Sequence, residues 1–311
     1  MQTPPNSPSL NRRNFLASLG GLGACALLSG TAPHAFAADE VPAAPVPRPG
    51  RLKQGICRGV FRGIKLTDEE TCQAVAKSGA LGIDLQAPEM FPLLKKYGLT
   101  CAMVTFPIGK TPQGVTVGPI TKAFNRLEHH DTLVEIYTKR INEVADAGLT
   151  NLICFSGNRE KMDDQQGMEN CAVGLRRLLP LAEKRGVTLC MELLNSKLNH
   201  PDYMCDHSAW GVDLCKRISS ERFKLLFDIY HVQIMEGDII RTIRDNIACI
   251  AHFHTAGVPG RHEFDDTQEL NYTGICKAIA DLGYKGFVSH EYTPNRDPLG
   301  TLDRMLKLCE V

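Results

Sequence analysis

Four apolar segments in the second half of the sequence end with acidic or histidine side chains. These are Glu192 in LCMELLN, Asp228 in LLFDIYH, His252 and His254 in IACIAHFHTA, and Glu291 in FVSHEYTP. Acidic side chains are rarely buried without a partner, because an unpaired carboxylate is strongly destabilised in an apolar environment. Three such acids brought together with a histidine would repel one another, and a divalent cation would remove that repulsion.

The ligand types indicate which cations would suit such a site. Two glutamates, one aspartate and one imidazole supply mainly oxygen ligands, which favour Mn²⁺, Mg²⁺ or Co²⁺ over metals that prefer thiolates. The alternative is a set of four unrelated buried salt bridges, but these segments carry no matching set of inward-facing Lys or Arg. Asp84, in LGIDLQ, is a further acid at the end of an apolar segment, and its role stays open between support of the site and capping of a helix.

These segments belong to a longer alternation of strand-like and helix-like sequence that begins at residue 52. A helical segment such as TDEETCQAVAKSG opens with Thr67 and Glu70 in capping-box spacing and closes at Gly79. The predicted strands occupy eight ranges: 52–60, 81–85, 99–106, 149–157, 187–195, 223–231, 247–256 and 286–293.

Eight repeats of strand and helix predict a (β/α)₈ TIM barrel, in which functional residues lie at the C-terminal ends of the strands. A doubly wound sheet is the alternative, but no predicted strand runs into a glycine-rich dinucleotide-binding loop. Because side chains alternate along a strand, His252 and His254 share one face, which we expect to line the barrel interior. The acids and the histidine should therefore converge at the barrel mouth.

A long polar insertion, residues 107–130, follows the third predicted strand. Long structureless loops in compact domains are commonly lids or binding loops, and a lid would exclude water from the site. A surface loop or a contact between copies of the chain is an equally open interpretation. The sequence leaves the oligomeric state open, a homo-oligomer included.

The N-terminal sequence differs in composition from the rest. A twin arginine, Arg12 and Arg13, precedes a short apolar stretch, and AFA ends at Ala37 as a small-residue cleavage site. This pattern predicts a Tat-type signal peptide over residues 1–37, with the Tat export machinery as a partner and a periplasmic or secreted location. A lipid anchor at Cys25 is a minor alternative.

The remaining chain divides into two predicted parts. Residues 38–51 are proline-rich and indicate an exposed linker, and residues 52–311 form one barrel domain. The formal net charge is zero, so no basic surface favours nucleic acid or an anionic membrane as a partner, and a small polar ligand fits better. Most of the twelve cysteines stand singly in apolar runs, so we do not expect a disulfide framework.

The segments MELLNSK, FDIYHVQIMEGD, HFHTAGVPGRHE, ELNY and HEYTP resemble the xylose-isomerase-like barrels of the sugar isomerase and epimerase superfamily. Within it, the chain is most similar to the hydroxypyruvate isomerase family. The resemblance implies these roles: metal binding by Glu192, Asp228, His254 and Glu291, acid/base catalysis by Glu192 and Glu291, and contacts to substrate oxygens from His231 and Arg261.

The resemblance implies a divalent-metal-dependent isomerase that interconverts an aldehyde and a ketone through an enediolate. His254 stands where hydroxypyruvate isomerases commonly have glutamine, and in this respect the chain resembles the tagatose and psicose epimerases. A ketose 3-epimerase acting on a free sugar is therefore an alternative. Two further alternatives are an endonuclease-IV-like hydrolase, which needs more ligands and a basic groove, and an exported sugar-binding barrel without catalytic activity.

Overall fold

The computed structural model describes residues 44–311, and its strands form two sheets. The strands are β1 (Lys53–Cys57), β2 (Ile83–Asp84), β3 (Gly109–Lys110), β4 (Thr116–Val117), β5 (Asn151–Cys154), β6 (Thr188–Glu192), β7 (Phe223–Asp228), β8 (Ile250–Thr255) and β9 (Phe287–His290). Seven of them form one parallel sheet in the order β2-β1-β9-β8-β7-β6-β5, while β3 and β4 form a separate antiparallel pair.

Helices connect successive strands of the parallel sheet. They are α1 (Asp68–Ser78), α2 (Phe91–Lys96), α3 (His130–Asp146), α4 (Asp164–Arg176), α5 (Leu179–Arg185), α6 (Ser208–Ile218), α7 (Ile229–Met235), α8 (Ile239–Asn246), α9 (Tyr272–Asp281) and α10 (Pro298–Leu308). The predicted capping box of α1 is present, with Thr67 and Glu70 bonded reciprocally. Gly79 ends α1 with a φ of 81°, which favours glycine.

The sheet closes on itself through residues 99–105, which lie between β2 and β5. Gly82 pairs with Thr100 at one end of this segment, and Val104 pairs with both Gln86 and Leu152 at the other. All three bridges are parallel. Because Val104 has a partner on each side, the wall is continuous, and the predicted (β/α)₈ TIM barrel is confirmed.

The third predicted strand, 99–106, is wrong as a continuous element. The N–H of Met103 donates to Oδ1 of Asp84 at 3.0 Å, and the thiol of Cys101 donates to the carbonyl of Met103 at 3.1 Å. Two side chains therefore bond to the N–H and the carbonyl of Met103, which in a regular ladder would bond to the backbone of neighbouring strands. The segment keeps its place in the wall but contributes only isolated bridges.

The predicted strands extend too far at the end that bears the site, and this changes the local structure at two of the acids. The prediction of 223–231 is wrong beyond Asp228, because this residue caps α7 by accepting the N–H of Tyr230 at 2.8 Å. β9 ends at His290, so Glu291 is the first residue of the loop that follows. Both acids remain at the C-terminal edge of the sheet.

The insertion 107–130 is structured, contrary to the expectation of an irregular loop. It contains the β3–β4 hairpin, and its later part buries Val117, Phe124 and Asn125 completely. The side-chain amide of Asn125 donates to the carbonyl of Asn158 at 2.6 Å, which ties this part to the loop after β5. Residues 117–125, which begin in β4, therefore pack against the rest of the domain, and the lid stays a prediction.

The described part of the predicted linker, from residue 44 onward, runs along the barrel. Arg48 donates to the carbonyl of Ser78 and to Asp303, and it also contacts Glu310. The predicted signal peptide over residues 1–37 and Cys25 lie outside the described residues. Across the described residues, the eleven cysteines are free thiols, ten of them buried, and no helix has the length and apolarity to cross a membrane.

Candidate metal centre and active site

The structure brings the four predicted metal ligands together at the C-terminal ends of adjacent strands. Glu192 ends β6, Asp228 ends β7, His254 lies one residue before the end of β8, and Glu291 follows β9. One ligand atom from each lies within 4.8 Å of the others. The parallel ladders from β6 to β9 produce this convergence, because they align the C-terminal ends of the strands at one rim.

The imidazole of His254 joins the cluster through Nδ1. This atom lies 2.9 Å from Oε2 of Glu291 and 3.8 Å from Oε1 of Glu192. His254 is fully buried, and its Nδ1 makes no well-aligned hydrogen bond among the described residues, although Oε2 of Glu291 lies 2.9 Å away. Buried polar atoms normally have well-aligned partners, so Nδ1 of His254 is available to bind an additional group.

The other face of His254 contacts two buried side chains. Its Nε2 lies 3.8 Å from the sulfur of Cys57 and 3.7 Å from Oδ2 of Asp84, whose Oδ2 also lies 2.7 Å from Nε2 of His252. Asp84 is fully buried, and its contact with Nε2 supports the ring of His254 from the side opposite the cluster. Cys57, Asp84 and His254 form a second group of potential ligands, but this group shares His254 with the first.

Arg261 is the cation nearest to the carboxylates. Its Nη2 lies 3.1 Å from Oδ2 of Asp228 and 2.8 Å from Oε2 of Glu291. Its backbone adopts a φ of 58°, in the left-handed region, and this conformation brings the side chain over the mouth. One guanidinium balances one of the three carboxylates, so the alternative of four separate salt bridges does not describe this cluster.

His231 also faces the cluster, from the first turns of α7. Its side chain is buried, and its Nε2 lies 3.1 Å from Nη1 of Arg261 and 3.6 Å from Oδ2 of Asp228. The structure thus places all six residues of the predicted site around one point of the barrel mouth.

The two glutamates of the cluster bind protons with different strength. Burial raises the pKa of Glu192 to about 8, and repulsion from Glu291 adds to the rise, while His254 opposes it. Burial also acts to raise the pKa of Glu291, but Arg261 and His254 outweigh it and hold this pKa well below its usual range. The surroundings therefore shift the pKa values of these two carboxyl groups in opposite directions.

The donor set fits a divalent cation of the type that the sequence indicates. Three carboxyl groups and one imidazole nitrogen are available, and the buried Nδ1 of His254 lacks a well-aligned partner among the described residues. Mn²⁺, Mg²⁺ and Co²⁺ all accept such a set. Glu192, Asp228, His254 and Glu291 would hold the ion.

One residue at this site was not found from the sequence. Asn195, three residues after β6, is fully buried and contacts His231 through both its backbone N–H and its side-chain amide. Its only sequence signal is the spacing of two asparagines in NSKLN, which is compatible with many turns.

Comparisons with known proteins agree with this architecture. Residues 67–309 match the family described as "Xylose isomerase-like TIM barrel". The solved structure of "AP endonuclease, family 2 from Brucella melitensis" superposes with a TM-score of 0.71 at 25% sequence identity, over 82% of this chain and 99% of that one.

Two curated relatives share part of the sequence. A "2-oxo-tetronate isomerase" of Cupriavidus necator is 39% identical over 113 residues, which are 36% of this chain and 43% of the relative. A "Putative hydroxypyruvate isomerase" of Danio rerio is 30% identical over 138 residues, 41% of this chain and 50% of the relative. Each match thus spans about half the relative's length or less. The family match covers most of the chain, and the protein therefore belongs to the xylose isomerase-like TIM barrel family.

Proposed function

We propose that the protein is a divalent-metal-dependent isomerase that interconverts an aldehyde and a ketone in a small hydroxy-carbonyl compound, with hydroxypyruvate as the first candidate. One observation carries this proposal: Glu192, Asp228, His254 and Glu291 offer ligand atoms within 4.8 Å of one another at the barrel mouth. The names of the two relatives support the reaction class, since one is named a 2-oxo-tetronate isomerase and the other a putative hydroxypyruvate isomerase.

The reaction requires removal of a weakly acidic C–H proton beside a carbonyl. A bound divalent cation would supply positive charge that stabilises the negative charge developing on the substrate oxygens. Glu192 and Glu291 approach from different strands, so a substrate held between them presents its reacting carbons to two carboxylates. One carboxylate takes the C–H proton, a carboxyl group returns a proton to the neighbouring carbon, and the hydroxyl proton passes to the former carbonyl oxygen.

Arg261 and His231 would hold the substrate oxygens. The guanidinium of Arg261 can pair with a substrate carboxylate or with an oxyanion that forms during the reaction. Its contacts with Asp228 and Glu291 keep it at the mouth, beside the predicted acid/base residue Glu291. Orientation of the reacting carbons would then depend on these two side chains as well as on the cation.

A ketose 3-epimerase is the second candidate, and the imidazole of His254 in the ligand set favours it. The same carboxylates could remove and return a proton at one carbon of a free sugar. An endonuclease would need a basic groove, and the formal net charge of zero gives it no support. The presence of both Glu192 and Glu291 in the cluster argues against a sugar-binding barrel without activity.

A substrate screen tests the proposal. Purified protein with Mn²⁺ is incubated with hydroxypyruvate, tartronate semialdehyde, a 2-oxo-tetronate and free ketoses, and products are followed by NMR. We expect turnover of a 2-oxo acid in the presence of metal and none after chelation. Turnover of ketoses alone would select the epimerase, and turnover of no compound in the panel would leave the binding barrel as the better account.

We also propose that residues 1–37 direct export through the Tat pathway to the periplasm or beyond, as a receptor-read signal. The double change Arg12→Lys with Arg13→Lys should retain uncleaved precursor in the cytoplasm. Fractionation with immunoblotting measures this, and normal periplasmic recovery of the double variant would reject the Tat signal.

A further inference from the structure

A buried asparagine fixes its own orientation in the turn after β6. Oδ1 of Asn195 accepts the backbone N–H groups of Leu198 at 3.0 Å and of Asn199 at 2.9 Å. Two backbone donors require an oxygen at this position, so the amide cannot be reversed. Nδ2 therefore points the other way, 2.6 Å from Nδ1 of His231 and 2.8 Å from Oδ1 of Asn199.

This orientation determines where His231 carries its proton. Nδ1 of His231 faces two donors, both from Asn195: the side-chain Nδ2, and the backbone N–H at 3.2 Å. A ring nitrogen that accepts hydrogen bonds carries no proton, so the proton of the neutral imidazole is on Nε2. His231 is thereby a hydrogen-bond donor toward the barrel mouth.

The donor N–H of His231 has no acceptor within hydrogen-bond distance among the described residues. Its Nε2 lies 3.6 Å from Oδ2 of Asp228 and 3.1 Å from Nη1 of Arg261, which is itself a donor. Two donors held 3.1 Å apart are favourable only when an electron-rich atom accepts from both. The pair therefore indicates a ligand oxygen between or above them.

The same asparagines also hold Arg261. Oδ1 of Asn199 accepts the hydroxyl of Tyr230 at 2.9 Å, and the guanidinium of Arg261 lies over the ring of Tyr230, 5.1 Å from its centroid. One network of contacts, which runs from the buried Asn195 through the exposed Asn199 to Tyr230, thus reaches both donors.

We propose that Asn195 is a positioning residue that fixes His231 as an Nε2–H donor, so that His231 and Arg261 together bind one electron-rich oxygen of the substrate. A carbonyl or enediolate oxygen fits this pair, whereas a hydroxyl that donates its proton to His231 does not. The assignment of that oxygen rests on the proposed isomerase function, but the position of the proton on His231 does not.

Nitrogen NMR of the ring tests the position of the proton. The protein is labelled with ¹⁵N-histidine, and long-range ¹H–¹⁵N spectra are recorded at neutral pH; the chain has ten histidines, so His231→Asn identifies the signal. We expect an unprotonated Nδ1 and a protonated Nε2 for His231 in the wild type. A protonated Nδ1 in the wild type would overturn the proposal without any variant.

Two isosteric variants separate the effect of the amide from that of added charge. Asn195→Asp keeps the oxygen that accepts from Leu198 and Asn199 but presents a second oxygen to Nδ1 of His231, so Nδ1 should become protonated. Asn199→Asp adds the same charge four residues away and keeps the oxygen that accepts from Asn195 and Tyr230. Nδ1 of His231 should therefore stay unprotonated in this variant. An unchanged Nδ1 in folded Asn195→Asp would show that the amide does not set the proton.

Kinetics connects the proton to the reaction. Loss of one preorganised donor lowers kcat about 10²-fold or more, so Asn195→Asp should lose on that order, chiefly in kcat. Leu299→Ala, at a residue of α10 that is 50% exposed, should keep wild-type activity. Full kcat in Asn195→Asp with a protonated Nδ1 would reject the donor role. If the wild type has the expected tautomer but turns over nothing in the screen, the isomerase proposal fails and the tautomer assignment stands.

Discussion

Two parts of the barrel wall hold their backbone in different ways. The site wall, β6 to β9, consists of parallel ladders, such as the register that runs from Leu189 opposite Phe223 to Glu192 opposite Leu226. The closing wall, from β2 to β5, contains residues 99–105. These residues contribute only isolated bridges, and one of their backbone N–H groups donates to the side chain of Asp84.

The difference shows which part of the wall must be regular. Ligands that share one cation need positions fixed to within about 0.5 Å. Paired strands give that precision to Glu192, and also to Asp228, where the β7–β8 ladder resumes after a register shift between Leu225 and Leu226. Apart from Asp84, which supports His254, the closing wall only completes the barrel, so irregular pairing with side-chain acceptors suffices. We therefore expect changes in the site wall to affect chemistry and changes in the closing wall to affect stability.

The largest expected effect comes from the two glutamates of the site wall. Glu192→Gln and Glu291→Gln keep size and one coordinating oxygen but remove the base, so each should lower kcat about 10²- to 10⁴-fold with little change in fold. Steady-state kinetics with Mn²⁺ measures the loss. Glu221→Gln, whose side chain is 90% exposed, should match the wild type.

Solvent isotope incorporation separates proton transfer from its alternative. In D₂O the wild type should place deuterium on the product carbon beside the carbonyl, because a base can exchange its proton with solvent. Complete absence of deuterium would indicate direct hydride transfer and leave the glutamates as ligands alone.

The next effect concerns metal-dependent stability. Asp228→Asn removes a carboxylate from the cluster, so metal binding should weaken. Mn²⁺ at about 100 times its Kd should stabilise the wild type by about 2.7 kcal/mol, and the variant should lose most of this gain. Denaturation with Mn²⁺ and with chelator measures both states, and Asp213→Asn, 61% exposed, is the matched control. Equal metal-dependent gains in wild type and variant would reject the four-ligand site.

A smaller effect is expected in the closing wall. A Cβ on Gly82 would lie 2.6 Å from the carbonyl oxygen of Thr100, so Gly82→Ala must displace the bridge. Overpacking of this kind costs about 1–3 kcal/mol in the free energy of unfolding, while kcat should change little. Gly59→Ala, where a Cβ meets nothing within 4 Å, is the control for stability. A loss of activity larger than the loss of stability would contradict the division between the walls.

The regular wall is also the part that the sequence predicts well. Apolar runs with strand-like composition locate β6 to β8, and the polar residues Glu192, Asp228 and His254 stand out because each interrupts such a run. Local patterns suffice here, since the ladder itself brings the strand ends to one rim.

The features that the sequence does not predict depend on contacts between distant residues. The break in the third strand follows from Asp84 binding Met103, 19 residues later, and the proton on His231 follows from Asn195, 36 residues earlier. The contact of Arg261 with two carboxylates depends on a positive φ that no local pattern requires. Each of these three features is set by contacts that form only in the folded chain, and the neighbouring sequence carries no signal for them.

The smallest expected effect concerns a contact that joins the two walls at the mouth. Arg159, in the loop after β5, donates to both carboxylate oxygens of Asp206 at 3.1 and 3.2 Å, and Ser196 donates to the same carboxylate at 2.5 Å. Burial acts to raise the pKa of Asp206, but the hydrogen bonds from Arg159, Ser196 and His207 outweigh it and lower the pKa. The ionised carboxylate therefore stabilises the folded state.

The sign of the pH dependence follows from that lowered pKa. Asp206 contributes its stabilisation above the unfolded pKa of about 3.9 and loses it as the pH falls through the folded pKa. Asp206→Asn should lower the free energy of unfolding on the order of 1 kcal/mol at neutral pH, and the difference from wild type should shrink below about pH 4. Urea denaturation from pH 3 to 8 measures this. If the difference in free energy of unfolding stays constant down to pH 3, the charge of Asp206 does not stabilise the fold. A neutral hydrogen bond would then explain the contact.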